Sequence, residues 1–287
     1  MGPTTTSLPR GKRTSRLIKK ASQAAGLAPG RELATGVDTI GDIAIIRMAG
    51  GISSEKRRVA AAILEETKSV RCVFEQEGGI EGEFRLRKLR HLAGEDRTIT
   101  THRENGCTYR VDVAKCYFSP RLATERLRVA EETEEGESVL NMFAGVGPFS
   151  VLLAKKKRAR VLSCELSGYA CALHEENVLA NRVEKLVGVV NADASTLPKL
   201  TNRRFNRVLM PHPSQADKFL RVAVLLAKKG GRIHYYRHVL GRDEDEATQS
   251  LRNELEELLP EGTEYETRRV RDVGPRWVEM VADVRLS

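Results

Sequence analysis

Residues 141–150 read NMFAGVGPFS, and this stretch decides the fold. The apolar run 139–143 leads into a turn that contains Gly145 and Gly147, and an apolar, helix-like segment follows at once. A strand, a glycine turn and a helix start in this order present backbone N–H groups to a nucleotide-like ligand. The third glycine of a dinucleotide fingerprint is replaced by Ser150, so the loop alone predicts either a nucleotide-like ligand or an ordinary strand-to-helix turn.

Downstream of this turn, strand-like and helix-like segments alternate. Strands are predicted at residues 139–143, 160–165, 187–191, 207–210 and 231–236, and helices at residues 149–155, 168–180, 214–228 and 244–258. This alternation predicts a parallel, doubly wound α/β sheet with right-handed crossovers. Two further strands, 264–270 and 278–284, flank Gly274-Pro275, so one of them is predicted to be antiparallel. A seven-stranded sheet that ends in a hairpin is typical of S-adenosylmethionine methyltransferases, by analogy of fold alone.

The chain upstream of this sheet is predicted to form a tail and a smaller domain. Residues 1–36 are predicted to be a basic flexible tail, because the stretch before Arg31-Glu32 has no acidic residue and contains six cations: Arg10, Lys12, Arg13, Arg16, Lys19 and Lys20. Such a tail indicates a nucleic-acid-binding arm or merely a solvated segment, and less readily a transit peptide. Residues 37–114 are predicted to form a small α/β, RNA-contacting domain that ends in a hairpin turning at Asn105-Gly106. A linking helix at 117–132 then opens the large domain, residues 115–287.

Composition limits the classes of protein that this chain can belong to. The 287 residues carry a net charge of +9 and are 40% hydrophobic, and the pI is about 9.4. This balance favours an anionic partner such as nucleic acid. No apolar run approaches the roughly 20 residues that cross a bilayer, and no secretory signal is visible. Five cysteines without a CxxC pair indicate reduced thiols in the cytoplasm and no metal site.

Two acidic residues follow predicted strands near the glycine turn. Glu165 ends the second strand of the sheet, 18 positions after Gly147. A carboxylate at this place accepts hydrogen bonds from ribose hydroxyls of an adenosine cofactor. Asp193 follows the third strand, where it either accepts from an adenine amino group or caps the next helix. Together with the glycine turn they favour an adenosine ligand.

A set of ordered motifs resembles a known family. These are GDIAII (41–46), GEFRLRKLRHLAGE (82–95), CYFSPRLATER (116–126), NMFAGVGPFS (141–150), ENVLANRVE (176–184), GGRIHYY (230–236) and VRDVGPRW (270–277). From about residue 37 to the C-terminus the chain is similar to the archaeal and eukaryotic tRNA (guanine-37 N1)-methyltransferases. The resemblance implies a Rossmann-like class I methyltransferase sheet preceded by a smaller N-terminal α/β domain.

The same resemblance implies what the enzyme does and with what. It implies methyl transfer from S-adenosylmethionine to N1 of the guanine that follows the anticodon. The expected partner is the anticodon arm of tRNA, and the chain is expected to act as a cytoplasmic monomer without membrane contact.

Site residues are carried over from the family by position. Arg126 resembles the residue that binds the cofactor carboxylate, Glu165 and Leu166 match the ribose rim, and Asp193 and Ala194 match the adenine rim. The remaining residues expected to bind the cofactor are Tyr117, Phe143, Ala144, Gly145, Gly147 and Pro211. Those expected to act on the guanine are Glu125, Arg85, Asn141 and Pro213.

The chemistry of the reaction supports two of these roles independently. Guanine N1 carries a proton at neutral pH, so a carboxylate such as Glu125 has to accept that proton as the methyl group arrives. Negative charge then develops on O6, where the guanidinium of Arg85 would stabilise it. The target base must also leave its stack to be reached. The basic strip 85–90 fits phosphate contacts. Alternatively, Glu125 has no catalytic role and only forms a surface ion pair with Arg121.

Three departures from the family pattern keep other functions open. Asn141 stands where the family usually has aspartate, and Pro211-His212-Pro213 replaces Asn-Leu-Pro. The N-terminal elbow-binding module is also expected to be absent, which would leave tRNA affinity to the tail and the small domain. The alternatives are aminocarboxypropyl transfer to, or methylation of, a wyosine precursor at the same tRNA position. A non-catalytic tRNA-binding protein is the third and least favoured hypothesis.

Overall fold

The computed structural model describes residues 10–28, 33–82 and 84–287. The first nine residues of the predicted tail and its residues 29–32 lie outside the described residues. The chain divides into two compact units. Unit 1 comprises Met1–Arg103 and Arg110–Pro120, and unit 2 comprises Glu104–Tyr109 and Arg121–Ser287. The division therefore falls after Pro120 rather than at the predicted residue 114, and unit 2 includes the tip of the hairpin.

The elements follow one another along the chain in the order that their numbers give. The helices are α1 (Arg10–Ala24), α2 (Ser53–Glu66), α3 (Ala123–Glu132), α4 (Pro148–Lys157), α5 (Gly168–Ala180), α6 (Leu197–Leu200), α7 (Ala216–Leu226) and α8 (Glu244–Leu258). The strands are β1 (Ala34–Ile40), β2 (Ile43–Met48), β3 (Cys72–Glu81), β4 (Leu86–Gly94), β5 (Ile99–Glu104), β6 (Cys107–Asp112), β7 (Ser138–Asn141), β8 (Arg160–Glu165), β9 (Val187–Asn191), β10 (Phe205–Met210), β11 (Ala227–Leu240), β12 (Glu264–Gly274) and β13 (Trp277–Arg285).

Unit 1 is built on a four-stranded sheet in the order β1-β2-β3-β4. Strands β2 and β3 are parallel, with α2 between them in sequence, and the outer pairs are antiparallel. The core contains Val59 and Ile63 of α2, and Ala21 of α1 lies in the same cluster. The segment predicted as a basic tail therefore contains helix α1, which begins earlier than the short helix expected at residues 17–25 and buries Ile18 and Ala21.

Unit 2 contains a seven-stranded sheet in the order β12-β13-β11-β10-β7-β8-β9. Strands β7 to β11 are mutually parallel where they pair, and β13 is antiparallel to both β11 and β12. This confirms the predicted doubly wound sheet with a terminal hairpin. The strand order reverses between β7 and β10, and the crevice at such a switch point is where open α/β sheets bind ligands.

Most predicted elements occur where the pattern indicates them. The ends of β8, β9, α5 and α8 coincide with the predicted ones, because each is bounded by a clear change of periodicity. The hairpin turns at Asn105-Gly106, where both residues have positive φ, at 49° and 77°. Strand β1 was not predicted, and β11 is longer than predicted.

None of the helices within the described residues has the length and apolarity needed to cross a membrane. All five cysteines lie in the described ranges and are buried and free.

Candidate active site

The glycine loop connects β7 to α4 at the switch point of the unit 2 sheet. Gly145 and Gly147 have φ values of 54° and 84°, a backbone region that side chains disfavour. A Cβ added to Gly147 would also lie 2.1 Å from Cδ2 of His174. The loop thus requires glycine at 147 for two reasons, the left-handed backbone and the imidazole packed against it.

His174 supports this loop from within the core. Its imidazole is fully buried, and neither ring nitrogen has a hydrogen-bond partner among the described residues. Burial lowers the pKa of His174 to about 4, so the ring is neutral at physiological pH. Sequence analysis did not single out this residue, since a histidine on an apolar helix face carries no signal of its partner.

Glu165 lies at the end of β8, next to the glycine loop. Its Oε2 accepts a hydrogen bond from the Gly145 N–H at 2.7 Å, and its Oε1 accepts one from the Ser167 N–H at 2.8 Å. Burial raises the pKa of Glu165, and these backbone hydrogen bonds offset part of that effect. Each carboxylate oxygen keeps a second lone pair, so the group can still accept from vicinal hydroxyls of a ribose.

The expected adenine rim has one polar and one buried member. Asp193 accepts a hydrogen bond from the Ser195 N–H at 2.7 Å, which is the helix-capping alternative described above. Ala194 is buried in the unit 2 core, whereas Leu166 is exposed beside Glu165. These positions, predicted from the sequence, lie at the carboxyl ends of β8 and β9.

Asn141 ends β7 with its side chain completely buried. Its Nδ2 donates to Ser150 Oγ at 3.0 Å, and Ser163 Oγ donates to the same hydroxyl at 2.8 Å. Its Oδ1 has no hydrogen-bond partner among the described residues. An unsatisfied buried acceptor costs about 1–3 kcal/mol, and such an atom beside the glycine loop fits a donor on a bound cofactor.

The proline-bearing loop follows β10 on the other side of the switch point. The Phe143 ring lies 5.2 Å from the His212 ring and 5.1 Å from the Phe219 ring, between centroids. The Pro213 carbonyl accepts a hydrogen bond from the His238 N–H at 3.1 Å, which ties the loop to β11. Pro211 is half-buried at the start of this loop. The ring planes meet at 48° and 76°, so the three rings pack in tilted and edge-to-face contacts rather than as a stack.

Glu125 is held by side chains that come from two parts of unit 2. Arg128 donates Nε to Oε2 at 3.0 Å and Nη2 to Oε1 at 2.6 Å, and the Tyr236 hydroxyl donates to Oε1 at 2.7 Å. The ion-pair partner is thus Arg128, not the Arg121 of the surface alternative, and the carboxylate is buried rather than exposed. Burial and the adjacent carboxylate raise the pKa of Tyr236 well above its usual value, so its phenol remains a donor.

Arg128 continues into a longer buried network. It contacts Glu132 and Asp283, each at 2.7 Å. Asp283 Oδ1 lies 2.5 Å from His234 Nδ1, and His234 Nε2 lies 2.6 Å from Arg207 Nη1. Burial by itself would raise the pKa of Asp283, but the hydrogen bonds and positive charges of His234 and Arg128 outweigh this effect and lower the pKa to about 2. The ligand atoms of Glu132, His234 and Asp283 lie within 4.8 Å of one another. The guanidinium groups of Arg128 and Arg268 lie within 4.0 Å of both carboxylates and compensate their negative charge.

Arg126 is the residue expected to bind the cofactor carboxylate, but two of its guanidinium nitrogens already donate to Glu104. Its Nε and Nη2 donate to the two oxygens of Glu104, at 2.6 and 2.7 Å, in a bidentate pair that is almost completely buried. Glu104 lies on the hairpin tip, which further hydrogen bonds tie to the rest of unit 2: Asn105 to Ala123, Thr108 to Asn181 and Tyr109 to Pro148. Arg126 therefore also anchors the hairpin tip.

Two predicted site residues lie together in unit 1. The Arg85 Cζ is 4.3 Å from the centroid of the Tyr117 ring, a cation–π contact. Arg85 is buried and has a φ of 53°, in the left-handed region that strains a non-glycine residue by about 1–3 kcal/mol. Such strain is concentrated at functional sites. The aromatic face fixes the planar guanidinium in one orientation.

The rest of the predicted basic strip 85–90 is engaged in ion pairs. Arg87 lies 3.6 Å from Asp38, and Arg90 pairs with Glu75 and Glu77. Lys88 is exposed, but its ammonium lies 3.8 Å from Glu77. The expectation that this strip supplies phosphate contacts is therefore not supported for Arg87 and Arg90, whose charges are already compensated.

Comparisons with known proteins agree with this geometry. Residues 100–261 match the TRM5/TYW2 methyltransferase domain, and residues 28–98 match the TYW2 N-terminal domain. The chain is 40% identical to the tRNA (guanine(37)-N(1))-methyltransferase Trm5b of Pyrococcus abyssi, over 90% of this chain and 76% of that relative.

Two solved structures share the fold. The complex of aTrm5 and tRNALeu has a TM-score of 0.78 at 32% identity, covering 89% of this chain and 73% of that chain. The structure of P. horikoshii TYW2 in complex with MeSAdo has a TM-score of 0.70 at 28% identity, covering 88% and 91%. With the sheet order, the glycine loop and these matches together, the chain belongs to the TRM5/TYW2 methyltransferase family.

Proposed function

We propose that this protein transfers a methyl group from S-adenosylmethionine to N1 of guanosine 37 in tRNA. The observation that carries this proposal is the Glu125 carboxylate, which is buried in unit 2 and oriented by Arg128 and Tyr236. The fold, the family and the relative named for this reaction support the same conclusion. A base of this kind is what methylation at a protonated ring nitrogen requires.

The residues of unit 2 fit the cofactor. The glycine loop provides a tight turn at the cofactor site. The Glu165 carboxylate can accept hydrogen bonds from the ribose hydroxyls. The Oδ1 of Asn141, which has no hydrogen-bond partner among the described residues, can accept one from a donor group of the cofactor. When bound, S-adenosylmethionine supplies an electrophilic methyl group. Phe143, Ala144, Gly147, Leu166, Asp193, Ala194 and Pro211 are proposed to line its site, with Arg126 and Tyr117 as further contacts.

Glu125 removes the N1 proton as the new bond forms. The carboxylate would accept the N1 proton while N1 forms its bond to the methyl group, which S-adenosylmethionine would supply. Because the acidity of N1–H rises steeply as N1 is alkylated, a carboxylate that Arg128 and Tyr236 orient is a sufficient base. Arg85 is proposed to stabilise charge on O6, and Asn141 and Pro213 to shape the site for the base.

The decisive experiment identifies the modified nucleotide and the group added to it. Unmodified tRNA transcript and, in a parallel reaction, tRNA that carries a wyosine precursor at position 37 are incubated with the protein and S-adenosylmethionine, digested and analysed by position-resolved mass spectrometry. A single methyl group on guanosine 37 is expected. An aminocarboxypropyl group, or methylation of only a wyosine precursor, would contradict the proposal and favour the activities found elsewhere in the family. The match of residues 28–98 to a TYW2 N-terminal domain makes this second outcome worth measuring.

We also propose that the chain recognises the anticodon arm, with the small domain contacting RNA, and works as a monomer in the cytoplasm. The net charge of +9 supports an RNA partner. Sedimentation of the protein with and without an anticodon stem–loop would test both the stoichiometry and the choice of RNA segment. A dimer in either condition would contradict the monomer.

A further inference from the structure

The motif VRDVGPRW, residues 270–277, has no role in the site described above. It forms the end of the β12–β13 hairpin, and we call it the hairpin tip. Gly274 and Trp277 are paired across the two strands, so Pro275 and Arg276 make a two-residue turn between them. A turn of this length fixes the register of the hairpin and so holds the tip in one arrangement.

The hairpin tip stands on the edge of the unit 2 sheet that carries the glycine loop. Strand β11 pairs with the last residue of β10 at Tyr235 and then continues to Leu240, which lies opposite Trp277. At about 3.3 Å per residue, this extension carries the tip roughly 17 Å beyond the end of β10. Along the extension, the His238 N–H donates to the Pro213 carbonyl at 3.1 Å. The strand that carries the tip is therefore tied to the proline-bearing loop.

Trp277 is the only tryptophan of the chain. Its side chain is 43% exposed, which is high for so large an apolar group. Its neighbours across the sheet are Leu240 on β11 and Gly274 on β12. Because glycine contributes no side chain, the indole remains accessible to a planar group on the β12 side.

Arg276 occupies a position of the turn where arginine is unusual. Its φ is 60°, and a proline followed by a residue with positive φ matches a type II turn. That second position favours glycine or asparagine, so an arginine there is strained. The Gly241 N–H donates to the Arg276 carbonyl at 3.0 Å and holds the residue in this conformation. Since strain of this kind is concentrated at functional sites, the side chain of Arg276 is a candidate for contact with a ligand.

The guanidinium of Arg276 is a cation that no carboxylate of the described residues compensates. The residue is exposed, and its side chain has neither an ion pair nor a hydrogen bond with a described residue. The two carboxylates of residues 269–279 are already paired, Asp272 with Arg269 and Glu279 with Arg271. The hairpin tip therefore presents one available positive charge next to the exposed indole.

An exposed aromatic ring beside such a cation indicates a single-stranded nucleic acid. Nucleobases stack on aromatic side chains, and phosphates bind guanidinium groups. A protein partner fits less well. The exposed large apolar side chains here are Leu240, Val273 and Trp277, whereas an ordinary protein interface covers about 800 Å² on each side.

We propose that Trp277 stacks on an unpaired nucleobase of RNA and that Arg276 binds a neighbouring phosphate. This inference rests on the proposed function in that the RNA is the tRNA substrate. Because the tip stands well beyond the end of β10, this base is not the one that is methylated. The contact orients the RNA and takes no part in the chemistry.

The first measurement uses the fluorescence of the wild-type protein. Because Trp277 is the only tryptophan, its emission reports on the hairpin tip alone. Unmodified tRNA transcript is expected to quench this emission over the concentrations at which filter binding shows the complex forming. A fully paired RNA duplex, which offers no unpaired base, is expected to quench it much less. Unchanged emission at saturating tRNA overturns the proposal, as does equal quenching by the duplex.

The second measurement compares two substitutions of Trp277. Trp277→Leu keeps an apolar side chain opposite Leu240 but removes the ring, whereas Trp277→Phe keeps a ring. The Kd for tRNA is expected to rise roughly 5–100-fold in Trp277→Leu and only a few-fold in Trp277→Phe. The Kd for S-adenosylmethionine is expected to be unchanged in both. Equal losses of tRNA affinity in the two variants, or a wild-type Kd in Trp277→Leu, overturn the stacking assignment.

The third measurement compares Arg276→Asn with Arg252→Gln, which removes an exposed cation from α8. Asparagine is favoured at this position of the turn, so the hairpin is expected to keep its conformation and its thermal unfolding midpoint. The salt slope of tRNA binding is expected to fall by about 1 in Arg276→Asn and to stay at the wild-type value in Arg252→Gln. Equal slopes in the two variants overturn the phosphate contact.

The outcomes separate this proposal from the proposed function. If the wild type methylates guanosine 37 but Trp277→Leu keeps its tRNA Kd, the stacking assignment is wrong and the function stands. If the wild type adds no methyl group but tRNA quenches Trp277 and Trp277→Leu loses affinity, the stacking stands and the function is wrong. A change of emission with protein concentration in the absence of RNA, together with dimer formation, overturns the proposal in favour of a second copy of the chain.

Discussion

Two carboxylates of unit 2, the buried Glu125 and the half-buried Glu165, receive their hydrogen bonds from opposite kinds of donor. Glu125 is held by side chains, a bidentate Arg128 and the Tyr236 hydroxyl. Glu165 is held by backbone N–H groups of Gly145 and Ser167, and burial raises its pKa. The Arg128 guanidinium suits Glu125, which is proposed to accept a proton as a carboxylate. The backbone N–H groups suit Glu165, which is proposed to accept hydrogen bonds from the neutral hydroxyls of a ligand.

The largest expected effect tests the role of Glu125 in this comparison. Glu125→Gln keeps the shape of the side chain but removes the base, so we expect the methylation rate to fall by roughly 10²–10⁴. The Kd for S-adenosylmethionine should stay near the wild-type value. Single-turnover kinetics and calorimetry measure the two quantities. Glu131→Gln, at an exposed position of α3, is the matched control, and unchanged turnover in Glu125→Gln would end the general-base assignment.

The second prediction concerns Glu165. Glu165→Gln removes a charged acceptor, and hydrogen bonds to charged groups contribute about 1.5–3 kcal/mol, so the Kd for the cofactor should rise roughly 10–100-fold. The rate at saturating cofactor should change only a few-fold. The exposed Glu175→Gln in α5 serves as the control. A large loss of rate with an unchanged Kd for the cofactor would contradict the assignment of Glu165 to cofactor binding and would place it in the chemical step instead.

The third prediction uses the histidine beneath the glycine loop. The pKa of His174 is about 4 in the folded state, below the ordinary value of 6.5, so only the unfolded state gains a proton between these values. Stability is therefore full above about pH 6.5 and declines as the pH falls towards 4, by about 1.4 kcal/mol per unit. Denaturant unfolding should show a wild-type loss of about 2 kcal/mol between pH 6.5 and 5 from this group. His174→Leu should lack that component, and an identical pH dependence in both proteins would contradict it.

The smallest expected effect concerns the orientation of Glu125. Tyr236→Phe removes one hydrogen bond, worth about 0.5–1.5 kcal/mol, so kcat should fall roughly 2–10-fold while KM for tRNA stays constant. Tyr235→Phe is a close control, because the Tyr235 hydroxyl donates to Glu254, outside this network. Equal losses in both variants would mean that Tyr236 contributes only to stability.

Sequence reasoning located the binding residues more easily than their partners. Gly145, Gly147 and Glu165 were predicted because turn geometry and strand ends are local properties of the chain. The partner of Glu125 was missed. Arg121 and Arg128 both lie on its helix face, and helical spacing cannot choose between them. Tyr236 is 111 residues away in sequence, and no local pattern connects it to α3.

By itself, the sequence determined the sheet, the glycine loop and the strand-end carboxylates, because hydrophobic periodicity and turn chemistry act over a few residues. Tertiary structure alone decided which charges are compensated. It pairs Arg126 with Glu104 and Arg128 with Asp283, and it pairs Arg87 and Arg90 of the basic strip with carboxylates. The physical reason is that an ion pair depends on the distance and burial of two side chains, which the folded arrangement of distant strands and helices sets.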